Sequence, residues 1–437
     1  MIKWSGESWG ISAGKIRTIK SFQASAAVTL ETTDEVEITS VTGQELETVS
    51  FSYSVSLAAG IDPRAEIDRL TDKIGASDFI KINGANFSNC AFHLKSVQAT
   101  AVTLDAAGRM IKADLTLSFI ENPEISTAGI EIYYNGVDIA QQVSVSGLYY
   151  DSYAESRADE LQLIFNDPSE KWDGWKPENG VEISVKCGKL DTGVMFIRSV
   201  IPQNDEFVLK AFSIPQTANN KKSKSWQKVY LQTLAQEIAT RAGLSFETHG
   251  LPDKWIIDYV IQKADQSDFN FLEQRAKLEG CAFLVYDKKL VLYLEKAIEA
   301  TAPAKTIKLS KTADFKYTND AAARSKSMTI LNGAFIGNYT AGSVTDTAQG
   351  EKIKVDFAIT DQAEANRIAR ALLREKNKNS ATGVFTKGQQ LDLAAGSVIK
   401  LKTEAAKSWN GPAFIYHIRH DLLKRKSKIW IRKPLDY

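Results

Sequence analysis

The sequence is poor in the residues that carry most protein chemistry. In 437 residues it holds four histidines, three cysteines and four methionines. Cys90, Cys187 and Cys281 lie far apart, so no pair has metal-ligand spacing, and an odd count argues against a disulfide framework. They read as buried free thiols of a reducing cytoplasm. His93 and His249 stand alone. His417 and His420 sit on "YHIRH", a strand-like stretch in which positions i and i+3 face opposite sides, so a shared metal is not expected. The chain has no H-E-x-x-H, Walker loop or G-x-G-x-x-G. Its carboxylates, as in "DQSDF" and "NDPSEKWDGW", fall at caps and turns, their usual structural places. The expectation is a non-enzyme with no catalytic residue, no metal and no cofactor.

Long apolar runs are missing too. None approaches the ~20 residues that cross a bilayer, and "MIKWSGESWGISAGK" has no apolar core of a signal peptide. We therefore expect synthesis in a cytoplasm, no export by the general route and no membrane partner. Nor does charge of one sign dominate. The 54 basic and 53 acidic residues leave a net +1, which gives no global attraction to nucleic acid. One local exception is "LLKRKSKIWIRKP" (422–434). Its Lys424, Arg425, Lys426, Lys428, Arg432 and Lys433 read as a solvated hairpin turn, with phosphate contacts as the alternative. Trp172 and Trp175 in "DGWKPENG" read as barrel caps, with a sugar or protein contact as the alternative.

What the chain does contain is strands. In residues 1–126, "ETVSFSYSVSL" alternates as half-exposed strands do, and Ile111, Ala113, Leu115, Leu117 and Phe119 share one face of a long strand. "DPRAEIDRLTDKIG" is a helix, with Pro63 in its first turn, a stripe of Ile67, Leu70 and Ile74, and Gly75 as its stop. "NPEISTAG" (122–129) reads as a linker. Residues 128–215 are again short strands between polar turns, and "QTANNKKSKSWQK" (216–228) reads as a linker or exposed loop. Residues 216–300 change character to an αβ insert. Leu231, Leu234, Ala235 and Ile238 make one helical stripe. "SDFNFLEQRAKLEG" makes a second helix, capped by Ser267 and stopped by Gly280, before the strands "CAFLVY" and "LVLY". Residues 301–437 return to strands around one strong helix at 361–377. Asp361 and Glu364 there fit a capping box, and Ala365, Ile368, Ala369, Leu372 and Leu373 form the stripe. We expect that stripe to be buried against a barrel formed by 384–432. On the other face Arg367, Arg370 and Arg374 form a cationic row, either solvated or meeting carboxylates of a neighbouring subunit. The fold class is mainly β with an α+β insert: small antiparallel barrels, each with a packed helix, at 1–126, 128–215 and 301–437, and an αβ domain at 216–300.

The order of these pieces across 128–437 resembles the late control protein GpD family, the hubs of contractile phage tails, related to the base of type VI secretion spikes. "GIEIYYNGVDI", "DELQLIFNDPSEKWDGWKPENGVEISVKCG", "GVMFIRSV", "SKSWQKVYLQTLAQEIATRAGL", "QSDFNFLEQRAKLEGCAFLVYDKKLVL", "GQQLDLAAGSVIKL" and "FIYHIRHDL" carry the likeness. The first 126 residues resemble GpU-like tail proteins of tube fold, through "LTDKIGASDFIKING" and "CAFHLKSVQATAVTLDAAGRMIKADLTLSFIENPE". The resemblance implies tail-tube-like barrels, two per hub subunit. It implies a homotrimeric ring that adapts a six-fold tail tube to a three-fold spike, in the baseplate of a phage or a phage tail-like bacteriocin assembled in the host cytoplasm. It also implies partners: the tail tube or tube initiator protein, baseplate wedge proteins, the tape measure protein and a spike. The chain ends at "IRKPLDY" without an OB barrel or β-helix, so the spike is expected on a separate protein. The alternatives are a tail-associated peptidoglycan-degrading enzyme and a type VI-like spike adaptor.

Overall fold

A computed structural model describes the chain except residues 11–16, 26–27, 33–38, 45, 89, 127–128, 141, 168–173, 175–176, 204–205, 253–255, 321–323, 343–348, 356, 358 and 405. Trp172 and Trp175 thus lie outside the described residues. The fold is mainly β, 51% strand, with an α+β insert. The described helices are α1 (Pro63–Thr71), α2 (Leu231–Arg241), α3 (Asp268–Leu278), α4 (Glu295–Glu299) and α5 (Gln362–Asn377).

The first block is a five-stranded antiparallel sheet in the order Ile19–Ser25, Thr48–Ser56, Met110–Ser126, Cys90–Leu104, Ser77–Asp78. Strict alternation sends Val49, Phe51, Tyr53 and Val55 to the same buried face as Ala113, Leu115, Leu117 and Phe119. Asp62 caps α1 through the N–H groups of Arg64 and Ala65, and Leu70 is fully buried. Ile74 does not join the stripe. The helix stops at Thr71, and Ile74 stays 46% exposed. The expected linker at 122–129 is also corrected. The long strand continues to Ser126, which pairs with Cys90, because its partner strand is long enough to hold it.

In the insert, α2 buries Leu231, Leu234, Ala235 and Ile238 as its spacing predicts. Ser267 caps α3, and Gly280, at φ +68°, turns the chain into the hairpin Cys281–Tyr286/Lys289–Leu294. The stretch 216–228 is no simple loop. Lys224–Tyr230 pairs antiparallel with Ile256–Gln262, and Trp226, 6% exposed, stacks on Phe271. A partner strand thirty residues away is invisible to local pattern.

Strands from Ile130–Tyr134 to Glu206–Phe212 and six from 305–432 form one 14-stranded sheet. One half runs from Ile130–Tyr134 to Val145–Tyr153. The other runs from Gly411–Asp421 to Phe315–Asn319, with Val398–Thr403 and Lys305–Leu309 branching from it. The halves join edge to edge, Tyr149 opposite Asp421 through Tyr153 opposite His417. Among the described residues no ring of strand pairings closes, so the two separate barrels expected from sequence are instead halves of a continuous, open sheet.

Helix α5 departs from expectation as well. Ile368, Ala369 and Leu373 pack on Met328 and Ile330 of a small three-stranded sheet (Ser327–Leu331, Ile336–Thr340, Glu351–Lys354), not on 384–432. The 384–432 face is already filled from its own segment by Ile307, Leu309, Phe385, Leu401 and Trp409. Leu372 is only partly buried.

Candidate functional site: a charged junction and two sheet ends

The row of arginines on α5 resolves into contacts inside the chain. Asp361 accepts from the Glu364 N–H at 2.7 Å, but Glu364 Oε2 accepts from the Thr360 N–H rather than from that of Asp361. Arg367 donates to Glu279 at the end of α3, Nε to Oε2 at 2.6 Å. Arg275 pairs with the same Glu279 at 2.5 Å and with Glu364 at 3.5 Å. One turn on, Arg370 lies over the Tyr339 ring, 5.4 Å from its centroid. Arg374 is buried and pairs with Glu299 at 2.5 Å and Glu295 at 3.4 Å, both on α4. Its guanidinium also donates to the Tyr437 carbonyl oxygen. A solvated row is therefore wrong for Arg367 and Arg374. Their carboxylate partners sit 88 and 79 residues earlier in the chain, beyond any helical spacing.

Arg432 completes this junction. It belongs to the basic stretch 422–434, yet it is fully buried, pairs with Glu299 at 2.7 Å and with Glu155, and lies over the Phe414 ring. Lys378 joins Glu295 at 3.1 Å and Glu375 at 2.5 Å. Burial works against the charge of Glu295, but Lys378, Arg432 and Arg374 together hold its pKa below the usual value. Burial and the neighbouring Glu295 and Glu375 raise that of Glu155, against the pull of Arg432 and Lys378. Burial opposes the charge of Lys378, and the surrounding glutamates more than restore it. Such a network is a positioning device more than a source of stability, because desolvation offsets much of its attraction. It fixes α4, α5 and the final strand against the loop at Glu155. That loop carries two left-handed residues, Glu155 (φ +79°) and Ser156 (φ +62°), and the Ser156 N–H donates to Phe283 in the insert.

The rest of the 422–434 stretch forms the solvated hairpin expected of it. Lys424, Arg425, Lys426 and Lys428 are exposed, and Lys433 donates to the Ser408 carbonyl. The histidines separate. His417 Nε2 lies 2.7 Å from Asp151, its ring stacked between Tyr153 and Trp430 at 4.3 and 3.9 Å. Arg419 Nε reaches both Asp151 oxygens at 3.0 and 2.9 Å. His420 is fully buried against Ser427, and burial lowers its pKa to about 4, leaving it neutral. His93 meets the Gly75 carbonyl and His249 meets Glu247. Burial raises the thiol pKa of Cys187 and Cys281, and Cys90 is half-buried. Sequence reasoning missed Asp159, a fully desolvated carboxyl raised to about 7, which accepts from the Tyr150 hydroxyl at 2.7 Å.

The sheet ends differ in charge. At one end the hairpin Ile130–Tyr134/Val137–Asp138 turns through Asn135 and Gly136, both at positive φ, as an Asn-Gly hairpin requires. Exposed Glu131 and Asp138 share a face with Tyr133, while Val137, 60% exposed, lies opposite Tyr134 on the other face. On the other half, the parallel pair Lys305–Leu309/Val398–Thr403 turns Lys308, Lys400 and Lys402 to solvent. These lysines rim a shallow groove of about 610 Å³, with Leu309 and Leu401 in its wall.

No protein-family model and no curated protein sequence matches the chain. Its fold, however, is shared with solved structures. A tail protein from Neisseria meningitidis superposes with a TM-score of 0.55 at 12% identity, covering 70% of this chain and 96% of that one. The 43 kDa tail protein of prophage MuSo2 from Shewanella oneidensis gives 0.56 at 11% identity, covering 70% and 98%. Over most of its length the chain thus has the fold of these two tail proteins, nearly entire.

Proposed function

We propose that this chain is a structural subunit of a phage tail or tail-like particle, acting as the hub of its baseplate. The observation that carries the reading is the match of 70% of the chain to nearly the whole of two tail proteins. The open sheet built from two joined halves supports it further. Three copies, each supplying two sheet halves, would line a ring of six segments, and closed cyclic symmetry is the common solution for such assemblies. Such a ring meets a six-fold tube on one side and a three-fold spike on the other. Its partners are then other copies of itself, the tail tube or tube initiator, wedge proteins, the tape measure protein and a separate spike protein. The first 126 residues act as a further tube-fold layer beside the hub. Of the α5 arginines, Arg370 is the one that can serve a contact between subunits, since Arg367 and Arg374 are held within the chain.

Deleting the gene from a tail-producing lysogen and imaging the particles tests this. The expected outcome is loss of assembled tails, restored by the gene in trans, with three copies per particle by mass. Normal tails without the protein would refute it. Hydrolysis of peptidoglycan by the purified chain would favour the enzymatic alternative.

A further inference from the structure

The five-stranded sheet of the first block has one face in the core and one open to water, and the open face has a narrow chemistry. Strand Thr48–Ser56 places a hydroxyl at every outward position, between the buried Val49, Phe51, Tyr53 and Val55. Its neighbours continue the pattern. One row across four strands reads Gln98, Thr116, Ser52, Ser21, and the next sets Ser118 beside Ser50. All six side chains are exposed or half-buried, and Ser21 Oγ lies 2.6 Å from Ser52 Oγ. Serine is not among the residues that strands favour, so strand stability does not account for this choice.

Charge is confined to the margins of the two rows. Asp114 is the acid beside them, and Lys20 pairs with it at 2.7 Å while the Ser54 hydroxyl donates to it. Lys112 follows toward the end of the hairpin, and Lys95 occupies a bulge between Leu94 and Ser96. A surface suited to water alone carries about 25–35% charged residues. Elsewhere this block is of that kind: α1 carries Arg64, Asp68, Arg69 and Lys73.

Such a face is poorly made for holding anything. A protein contact draws its energy from buried aromatic, aliphatic or arginine anchors, and the exposed Ile74, Val102 and Leu104 of this block lie outside the rows. A polyanion is held by cations that displace its counterions. A polyanion that must move needs the reverse: no cation to grip it, no acid to repel it and no apolar patch to trap water-shy groups. Hydroxyls exchange one hydrogen bond to water for another at little net cost. We propose that the hydroxyl face of the first block lines the bore of the tail particle and lets double-stranded DNA slide past without being held. The inference rests on the tail reading above and assigns a face and a cargo to it. A protein cargo, with charge of both signs, makes no such demand for neutrality.

The test uses the full-length chain supplied in trans to the deletion lysogen. A density map of the assembled particle should show the face looking onto the central channel. A place on the outer surface, or inside a contact between subunits, overturns the proposal. One variant, Ser52→Lys with Thr116→Lys and Gln98→Lys, makes the first row cationic. A second, Ser52→Thr with Thr116→Ser and Gln98→Asn, keeps it neutral. Both should give particles of normal number and appearance. The lysine variant should deliver at least about tenfold less DNA per particle, and added salt should restore part of the loss, because phosphate contacts weaken as salt rises. The neutral variant should deliver as wild type does. Should the triple lysine variant fail to assemble, Gln98→Lys alone, at an exposed position, carries the same test. Undiminished delivery by an assembled lysine variant overturns the proposal, and so do particles that pass protein but no DNA. If no particle contains the chain, the tail reading fails. If particles contain it with this face turned from the channel, only the present inference fails.

Discussion

The first block and the insert are both attached to the long sheet, but by opposite physics. The first block lends Phe79 and Ala91 to the core that holds Ile132, Leu163 and Phe165, and adds neutral or singly charged contacts such as Ser144 to Asn86 at 2.8 Å and Lys81 to Asn166. The insert and α5 are attached through buried charge: Glu279, Glu295 and Glu299 against Arg275, Arg367, Arg374, Lys378 and Arg432. An apolar junction holds two bodies together and is tolerant of angle. A buried ionic one is satisfied in few geometries and fails when one member is missing. The insert's orientation is therefore specified, and the first block's is merely held.

The largest effect should come from breaking the charged junction on one side. Arg432→Met removes one buried cation from Glu155 and Glu299, leaving them only Lys378 and Arg374, and should cost about 3–5 kcal/mol, read from chemical denaturation. A loss below about 1 kcal/mol would mean that water enters and solvates the site. Phe79→Ala, at the apolar junction, should cost about 3 kcal/mol. Unlike the first, that loss should keep the same size between pH 4 and 7.

Acid should separate the junctions in the native chain. Glu295 has a folded pKa below its ordinary 4.5. Its stabilising contribution is full above 4.5 and is lost as pH falls through the lowered value. Hydrogen exchange should show amides of α4 and α5 opening in that window before those of the first block. His420 acts in a higher range. With its pKa lowered from 6.5 to about 4, stability is full above 6.5, falls as pH drops and levels off below about 4, on the order of 3 kcal/mol in all. His420→Phe should flatten that slope. The smallest effect is expected of Lys81→Ala, roughly 1.5 kcal/mol, from loss of its hydrogen bond to Asn166.

The same contrast explains which features could be read from sequence. Helices α2, α3 and α5 are legible because the stripe of each, with the caps of α3 and α5 and the Gly280 stop of α3, lies within a few residues. The strand face of Ala113, Leu115, Leu117 and Phe119 was legible for the same reason. The pairing of Lys224–Tyr230 with Ile256–Gln262 was not, and "KKSKSWQK" looked like a loop because its strand has an exposed outer side. The α5 arginines lie on the helix that the spacing predicts, but the carboxylates that Arg367 and Arg374 meet come from the end of α3 and from α4, which no helical spacing announces. Whether strands close into barrels or join edge to edge depends on one long-range pairing, Tyr149–Tyr153 with His417–Asp421, that no local pattern announces.

That pairing also dictates an order of events at the ribosome. Strand Val145–Tyr153 is synthesised early, and its partner Gly411–Asp421 emerges more than 250 residues later, after the insert. At about 5–20 residues per second, the edge waits on the order of ten seconds or more with its backbone groups unpaired. An unpaired apolar edge is a template for the wrong strand. The insert can fold in that interval, because its own core of Leu231, Ile238, Leu272 and Phe283 is complete before the last strands arrive. Nascent chains are thus most vulnerable to cross-pairing between about residues 153 and 411, and a chaperone that shields strand edges should raise the yield of this protein more than one that binds apolar helices.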